Sequence, residues 1–456
     1  MKLRNYLLLL LILISAAGAG QNKTGLVSGP MLGQIEIRSA MIWLEVAPTV
    51  RKVEIRYYET GTAATPQSLI YKGELGKTFN PIKFELDGLK MNTTYSYQFF
   101  IDNKQVLIPY KTQFTTQDLW QWRKPAPDFS FLTGSCAYFN EPIFDRPGTP
   151  YGSDSVIFEA MANTQASFHL WLGDNWYTRE ADYATAWGLN YRASRDRATP
   201  VLQKFLAAMP QYAIWDDHDF GPNDANSSYV LKEPSKKIFD NYWCNPSSGE
   251  DGKGTYTKIS YGDVDIFMLD DRYFRSADGL PAMIDGKPNP AKLMFGAQQM
   301  QWLENAIATS MATFKFIAIG SQVLNPLSEL DCLRHFPVEY EQLLKMLERN
   351  KTNGVIFLSG DRHHSEIIKQ QRAGTYTLYD VTTSAYTSGI SKPSGKEINH
   401  PDRVAGTLVE VHNFAKISVS GQKNDRTVKV EFIGVKGEKL AEWSINEKEL
   451  QGPKGE

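Results

Sequence analysis

The sequence predicts a small all-β domain followed by a larger α/β domain. Three observations carry this reading. Apolar and polar residues alternate with period two up to about residue 116. The run Lys124-Pro125-Ala126-Pro127 then reads as a short linker. Beyond it, apolar runs of strand length alternate with helical spacing, and the apolar runs end in polar clusters. With 456 residues, 42% of them hydrophobic, the chain can bury a sizeable core in both parts.

The first 19 residues read as a secretory signal. Lys2 and Arg4 give a positive start, residues 6–14 are apolar, and Ala17-Gly18-Ala19 is a small-residue cleavage site. The apolar run is too short for a spanning helix. An uncleaved membrane anchor is the alternative reading. No Cys follows the cleavage site, so a lipoprotein anchor is not indicated. The expected location is therefore exported: periplasmic, extracellular or at the cell surface. The all-β domain is expected over 25–118, with alternation in Ile35-Glu36-Ile37-Arg38, over 53–57 and over 95–99. Leu89 followed by Tyr95 resembles the tyrosine corner of fibronectin-like and immunoglobulin-like sandwiches. That is a scaffold signature, although such a module can also bind a partner.

The second domain is expected over 128–456, with a β-strand extension at its end. A strand over 129–133 ends in Gly134-Ser135-Cys136, and residues 153–163 have helical spacing behind a Ser cap. Strands over 168–172 and 213–215 end in Gly173-Asp174 and Asp216-Asp217-His218. A strand over 264–269 ends in Asp270-Asp271-Arg272, and a helix over 298–307 turns Trp302 and Leu303 inward. Strands over 314–319 and 355–358 lead to Gly320-Ser321-Gln322 and Gly360-Asp361-Arg362-His363-His364. From about Gly406 strands return, including 429–434 before a turn at Lys436-Gly437. The carboxyl edge of such strands is where α/β proteins build sites, because the loops there are free to carry side chains.

Composition excludes some partners. The net charge is −2, from 49 basic and 51 acidic residues, so there is no basic footprint for nucleic acid. No stretch after the leader is apolar enough to span a bilayer. Three cysteines, Cys136, Cys244 and Cys332, are an odd number for an oxidising compartment. A Cys244–Cys332 bridge stays open at this level.

Three clusters stand out: GDNWY at 173–177, WDDHD at 215–219 and GDRHHSE at 360–366. Carboxylates suit hard cations and imidazole suits transition metals, while phenolate and thiolate suit ferric iron. A lone Asp beside Gly is usually a turn or cap. Three Asp-rich strand ends, two of them with His, are hard to explain that way. Cys136 at a strand end beside Gly and Ser suits a ligand better than a buried hydrophobe. His218, flanked by carboxylates, suits a general acid or a donor to phosphoryl oxygen. His169, His335, His400 and His412 have no comparable context. There is no G-x-S-x-G elbow and no Walker loop.

The sequence resembles the alkaline phosphatase D (PhoD-like) family of metallophosphoesterases. The resemblance rests on Gly134-Ser135-Cys136, LGDNWY, WDDHD, LDDRYFR at 269–275, FGAQQMQWL at 295–303, GSQ at 320–322 and SGDRHHS at 359–365. It implies a four-layer α/β/β/α metallophosphatase sandwich preceded by a small fibronectin-like domain. It also implies Fe3+ together with one or two Ca2+ ions. Cys136, Asp174, Tyr177 and His363 would surround the iron. Asp174 would bridge towards calcium, with Asp217 and Asp361 as further ligands. Asn223 follows WDDHD where the family places an Asn near the metals, although the intervening Phe220-Gly221-Pro222 departs from the pattern. His364, beside His363, either supports the ligands from behind or faces the substrate, and Arg195 and Arg272 are candidate substrate contacts, with surface or ion-pair roles at least as open for the two arginines. The expected reaction is in-line displacement by water at a phosphate mono- or diester, lipid- or nucleotide-derived. Phospholipase, phosphotriesterase and phosphonate-ester hydrolysis are alternatives on the same site. A surface binding protein with structural metals is the non-catalytic one.

Overall fold

The computed structural model describes residues 25–63 and 65–452. The leader expected over 1–19 lies outside the described residues. The first eight strands are β1 (Leu26–Ile35), β2 (Ala40–Val46), β3 (Val53–Glu59), β4 (Gln67–Ile70), β5 (Asn80–Leu86), β6 (Thr94–Ile101), β7 (Lys104–Gln105) and β8 (Gln113–Thr115). They form a three-stranded sheet, β1-β2-β5, facing a sheet ordered β4-β3-β6-β7 with β8 also on β6. Alternation is clean in β6, where Tyr95, Tyr97, Phe99 and Ile101 are buried between half-buried neighbours. These rings meet Ile42, Leu44 and Phe84 in the sandwich core. The Tyr95 hydroxyl accepts a 2.9 Å hydrogen bond from the Lys90 N–H, which is the corner expected from the sequence.

One expected strand is a turn. β1 stops at Ile35, and the Glu36 N–H donates to the Ser39 carbonyl at 2.9 Å. The true strand upstream, Leu26–Ile35, is buried almost throughout. Its Leu32 joins the sandwich core while Met31 joins the core of the larger domain. Burial on both faces removes the period-two signal there.

The larger part follows in chain order as β9 (Phe129–Gly134), α1 (Ile157–Asn163), β10 (Phe168–Leu172), α2 (Ala186–Arg197), α3 (Pro200–Ala208), β11 (Gln211–Ile214), α4 (Asp217–Phe220), α5 (Lys232–Tyr242), β12 (Thr257–Tyr261) and β13 (Val264–Met268). After a small hairpin, β14 (Met283–Ile284) and β15 (Lys287–Pro288), come α6 (Gly296–Ala308), β16 (Phe314–Ala318), α7 (Pro337–Arg349), β17 (Val355–Ser359), β18 (Glu366–Gln370), β19 (Leu378–Thr382), β20 (Asn413–Gln422), β21 (Asp425–Gly434) and β22 (Lys439–Asn446). Two six-stranded sheets result, ordered β11-β10-β9-β20-β21-β22 and β12-β13-β16-β17-β19-β18. Phe131, Leu170 and Ile417 of one pack against Ile266, Phe316 and Ile356 of the other. Leu132 and Trp171 point the opposite way, onto Phe158 of α1 and Phe205 of α3. Leu303 of α6 and Leu343 of α7 join the core through the second sheet. The architecture is thus α/β/β/α.

The helix expected over 153–163 begins only at Ile157. Ser153 donates its N–H to the Thr387 carbonyl at 2.7 Å, and Ser155 takes φ 64°, so the chain stays irregular up to there. Among the described residues no helix is long and apolar enough to cross a membrane. All three cysteines are buried and free, so no Cys244–Cys332 bridge forms. β9, β10 and β11 are parallel, as are β13, β16, β17 and β19. Their carboxyl ends carry the polar clusters.

Candidate metal centre

Glycines let the strand ends converge. A Cβ on Gly173, at φ +93°, would sit 2.6 Å from the Asp216 Cβ. One on Gly360 would sit 2.7 Å from both the Leu172 carbonyl and the Ser135 side chain. A larger residue at Gly173 would push the neighbouring β10 and β11 ends apart, and one at Gly360 would push the two sheets' edges apart. The next residues adopt left-handed backbone: Cys136 at φ 64°, Asp174 at 51°, Asp361 at 63° and His363 at 57°. For a residue with a Cβ this conformation costs about 1–2 kcal/mol. Four such residues at one edge mark a place where aim matters more than local comfort.

The side chains they aim converge. The Tyr177 hydroxyl donates to Asp174 Oδ2 at 3.0 Å and lies 3.2 Å from His363 Nε2. Cys136 Sγ is 3.6 Å from the same Asp174 oxygen. Ser384 Oγ reaches Cys136 Sγ at 3.2 Å, and Tyr151 Oη reaches His363 Nδ1 at 3.1 Å. At this edge ligand-type atoms within 4.8 Å of one another form three of the four such groups among the described residues: Cys136, Asp174 and His363; Asp174, Asp217 and His218; Asp174, Asp216 and Asp361. Asp174 belongs to all three. The short helix α4 supports the second and third. Asp216 caps it in a reciprocal box with Asp219, and the His218 N–H points at Asp174 Oδ1, 3.3 Å away.

Anions crowd this edge. Asp174, Asp217 and Asp361 make no ion pair with a basic side chain among the described residues. Burial, then the neighbouring Cys136 and Asp217, pushes the Asp174 carboxyl well above its ordinary range. Burial and then Asp331 push Asp361 up to about 6. Burial pushes the Cys136 thiol up to about 12 and the Tyr177 hydroxyl upward as well. Asp217 goes the other way. Burial opposes ionisation, but His218, Arg272 and the Asp224 N–H outweigh it and lower the carboxyl. Burial lowers His218 and His363, partly offset by Asp217 and Asp361 respectively. Asp216 Oδ2 and His218 Nδ1 are buried with no hydrogen-bond partner. Orphaned ligand atoms among crowded carboxylates fit a cation, and thiolate, phenolate and imidazole on one side fit a transition metal.

A cavity of about 550 Å³ opens over the cluster, lined by Asp174, Asp217, His218, Asn223, Asp361 and His363. Asn223 is exposed at its rim, with its amide donating to Asp224 Oδ2 at 2.6 Å. The three candidate substrate contacts, His364, Arg195 and Arg272, do not line this cavity, which leaves His364 its supporting role behind His363. His364 is buried, with Nδ1 3.1 Å from the Ser391 carbonyl and Nε2 3.5 Å from Glu366. Arg272 is buried behind the ligands, 2.5 Å from Asp216 and 2.7 Å from Asp331. Arg195 on α2 binds the Phe139 carbonyl at 3.0 Å and Asp196 at 2.8 Å. Sequence reasoning missed Asp216, Tyr151 and Ser384. Asp216 stood inside WDDHD, but adjacency alone does not say which Asp turns inward. Tyr151 and Ser384 left no pattern to follow.

Two stacked six-stranded sheets with ligand-bearing loops along one edge define a metallophosphatase-type sandwich. A solved structure titled "Structure of PhoD" superposes with a TM-score of 0.74 at 16% identity, over 94% of this chain and 92% of that one. A purple acid phosphatase, PPD1 from yellow lupin (Lupinus luteus) seeds, superposes with a TM-score of 0.61 at 11% identity, over 91% of this chain and 74% of that one. Residues 131–432 match the PhoD-like phosphatase family model, and the chain belongs to that family. Residues 23–119 match a domain of unknown function, DUF7800. Alkaline phosphatase D of Bacillus subtilis (strain 168) is 23% identical over 395 residues, which are 75% of this chain. The chain spans 64% of that relative's length.

Proposed function

We infer that the protein is an exported, metal-dependent phosphoric ester hydrolase acting on phosphate mono- or diesters. The observation that carries this is Asp174, whose carboxylate belongs to three convergent ligand groups below one open cavity. Cys136, Asp174, Tyr177 and His363 would hold ferric iron, and Asp174, Asp216, Asp217 and Asp361, with Asn223 at the rim, one or two calcium ions. Bound cations would lower the pKa of a water and neutralise phosphoryl oxygens. The remaining work falls to the chain. Asp174 accepts from the His218 N–H at the start of α4, and the Tyr177 ring lies tilted against the His218 ring at 4.1 Å between centroids. So held, His218 faces the cavity and would donate to a phosphoryl or leaving oxygen. An anionic substrate favours its protonated form and offsets the lowering by burial.

A second reading of His218 has its own observation: with Asp174 and Asp217 it forms a ligand-spaced group. The substitution described in the Discussion separates the two. For the function itself, the test is turnover of bis(4-nitrophenyl) phosphate and 4-nitrophenyl phosphate before and after exhaustive chelation. Hydrolysis should vanish on chelation and return in part with calcium if iron is retained. Full activity in a demonstrably metal-free sample rules the reading out.

A further inference from the structure

A second cavity of about 690 Å³ joins the one over the metal cluster, and the two share Tyr151, His218 and Asn223. Its chemistry differs. The first is walled mainly by carboxylates and imidazoles, with Lys292 and Arg362, whereas the second gathers the rings of Tyr138, Phe144, Tyr151, Tyr177 and Tyr183. A phosphoryl group lying against His218 would therefore have one direction of exit into an aromatic groove. We propose that this groove is a subsite for an aromatic arm of the substrate, an aryl or nucleoside ester. The proposal rests on the phosphoesterase reading above and names the substrate class for it.

The groove is built before any ligand arrives. Tyr138 meets Tyr151 edge-on at 4.9 Å between ring centroids and Tyr177 at 5.1 Å. The Arg179 guanidinium lies 3.9 Å beneath the Tyr138 ring and is itself buried. It bonds the Phe139 carbonyl at 2.8 Å and Asp145 at 3.0 Å. Asp145 also accepts from the Tyr138 hydroxyl at 2.7 Å and from the Glu141 N–H at 2.5 Å. The turn is closed by the Phe144 N–H on the Glu141 carbonyl at 2.9 Å. The segment presenting Phe144 is thus tied to the same arginine that holds the tyrosine wall, so little ordering is left to ligand binding.

Two rings in this wall remain open to a ligand: Phe144 is 40% exposed and Tyr151 is 47% exposed. The mouth is polar, with Arg146 and Glu180 paired across it at 3.2 Å. Exposed aromatic side chains inside a charged mouth suit a flat group with polar edges. They do not suit an alkyl chain, which needs continuous apolar walls.

The test is calorimetric binding of methylphosphonate, phenylphosphonate and hexylphosphonate to the metal-loaded protein. Methylphosphonate reports the phosphoryl site, and the affinity ratios report the groove. Phenylphosphonate should bind about tenfold tighter than methylphosphonate, in line with one ring stacking on another. Hexylphosphonate should gain less than phenylphosphonate. Phe144→Leu keeps apolar bulk without a ring and should cut the phenyl-to-methyl ratio several-fold, while Phe144→Tyr should preserve it. A ratio near one in the parent, a hexyl gain equal to the phenyl gain, or a ratio untouched by Phe144→Leu overturns the subsite. Absence of methylphosphonate binding removes the phosphoryl site, and the subsite with it.

Discussion

Two buried polar regions lie close together in this molecule and are built on opposite plans. Behind the rim, Arg192 is fully buried yet touches Glu141 at 2.8 Å, Asp182 at 2.8 Å and Asp196 at 3.2 Å. Arg179 answers Asp145, and Arg195 answers Asp196. Every carboxylate in that knot faces a guanidinium. At the strand-end edge, Asp174, Asp217 and Asp361 face one another, Cys136 and two imidazoles. Burial raises Asp174 and Asp361 at the edge and Asp196 in the knot, but neighbouring acidic groups add to the rise at the edge, whereas Arg192, Arg179 and Arg195 oppose it in the knot. In a balanced set each buried charge is answered within the chain, so removing one partner is costly. An unbalanced set waits for cations from outside.

The strongest way to break this contrast is Asp174→Ala. It removes the one carboxylate common to all three ligand groups, so metal content and ester hydrolysis should both fall to background while the protein still folds. Elemental analysis and turnover of the same sample check it. Arg192→Met attacks the balanced knot instead. It removes the guanidinium shared by Asp182, Asp196 and Glu141. Asp182 loses its only guanidinium partner among the described residues, while Asp196 and Glu141 keep Arg195. The change should cost about 3–5 kcal/mol in urea unfolding. The fraction that folds should keep its metals.

His218→Ala sharpens the unbalanced side. As an acid or donor to substrate, His218 should keep most of the metal and lose roughly a hundredfold in turnover. Loss of one ion's worth of metal would make it a ligand. The smallest effect is expected at Glu45, an intermediate case in which one anion has one guanidinium near it. Burial raises its carboxyl to about 7, opposed by Ser194 at 2.8 Å, Tyr242 and Arg197. The folded protein therefore holds this proton where the unfolded chain has lost it. The stability it lends is present below about pH 4.5 and is lost as pH rises through about 7. Glu45→Gln should flatten that slope, by on the order of 2 kcal/mol between pH 4 and 8. Denaturant midpoints at the two pH values, parent against variant, would show no difference if Glu45 ionises freely.

The sequence made the strand ends readable because buried strands are short apolar runs and the glycines and Asp-His clusters follow them directly. Cys136, Asp174, Tyr177, Asp217, Asp361 and His363 fall together for that reason. Orientation was less legible. Arg195, Arg272 and His364 sit near the motifs in sequence, but partners distant in the chain, such as Asn140 for Arg195 and Asp216 and Asp331 for Arg272, turn them away from the cavity. Helix α2 escaped notice because its inward face carries Arg192, Asp196 and Arg197 rather than an apolar stripe. The alternation at 35–38 misled because a turn can alternate by chance, while the true strand beside it is buried on both faces.

The most direct test of the contrast is the metal content per chain of parent, Asp174→Ala and Arg192→Met proteins, purified identically and measured side by side on folded material. The expected result is iron with calcium in the parent, near-background metal in Asp174→Ala and parental metal in Arg192→Met. A parent free of metal but folded and active would contradict it, as would an Asp174→Ala protein that keeps its full complement.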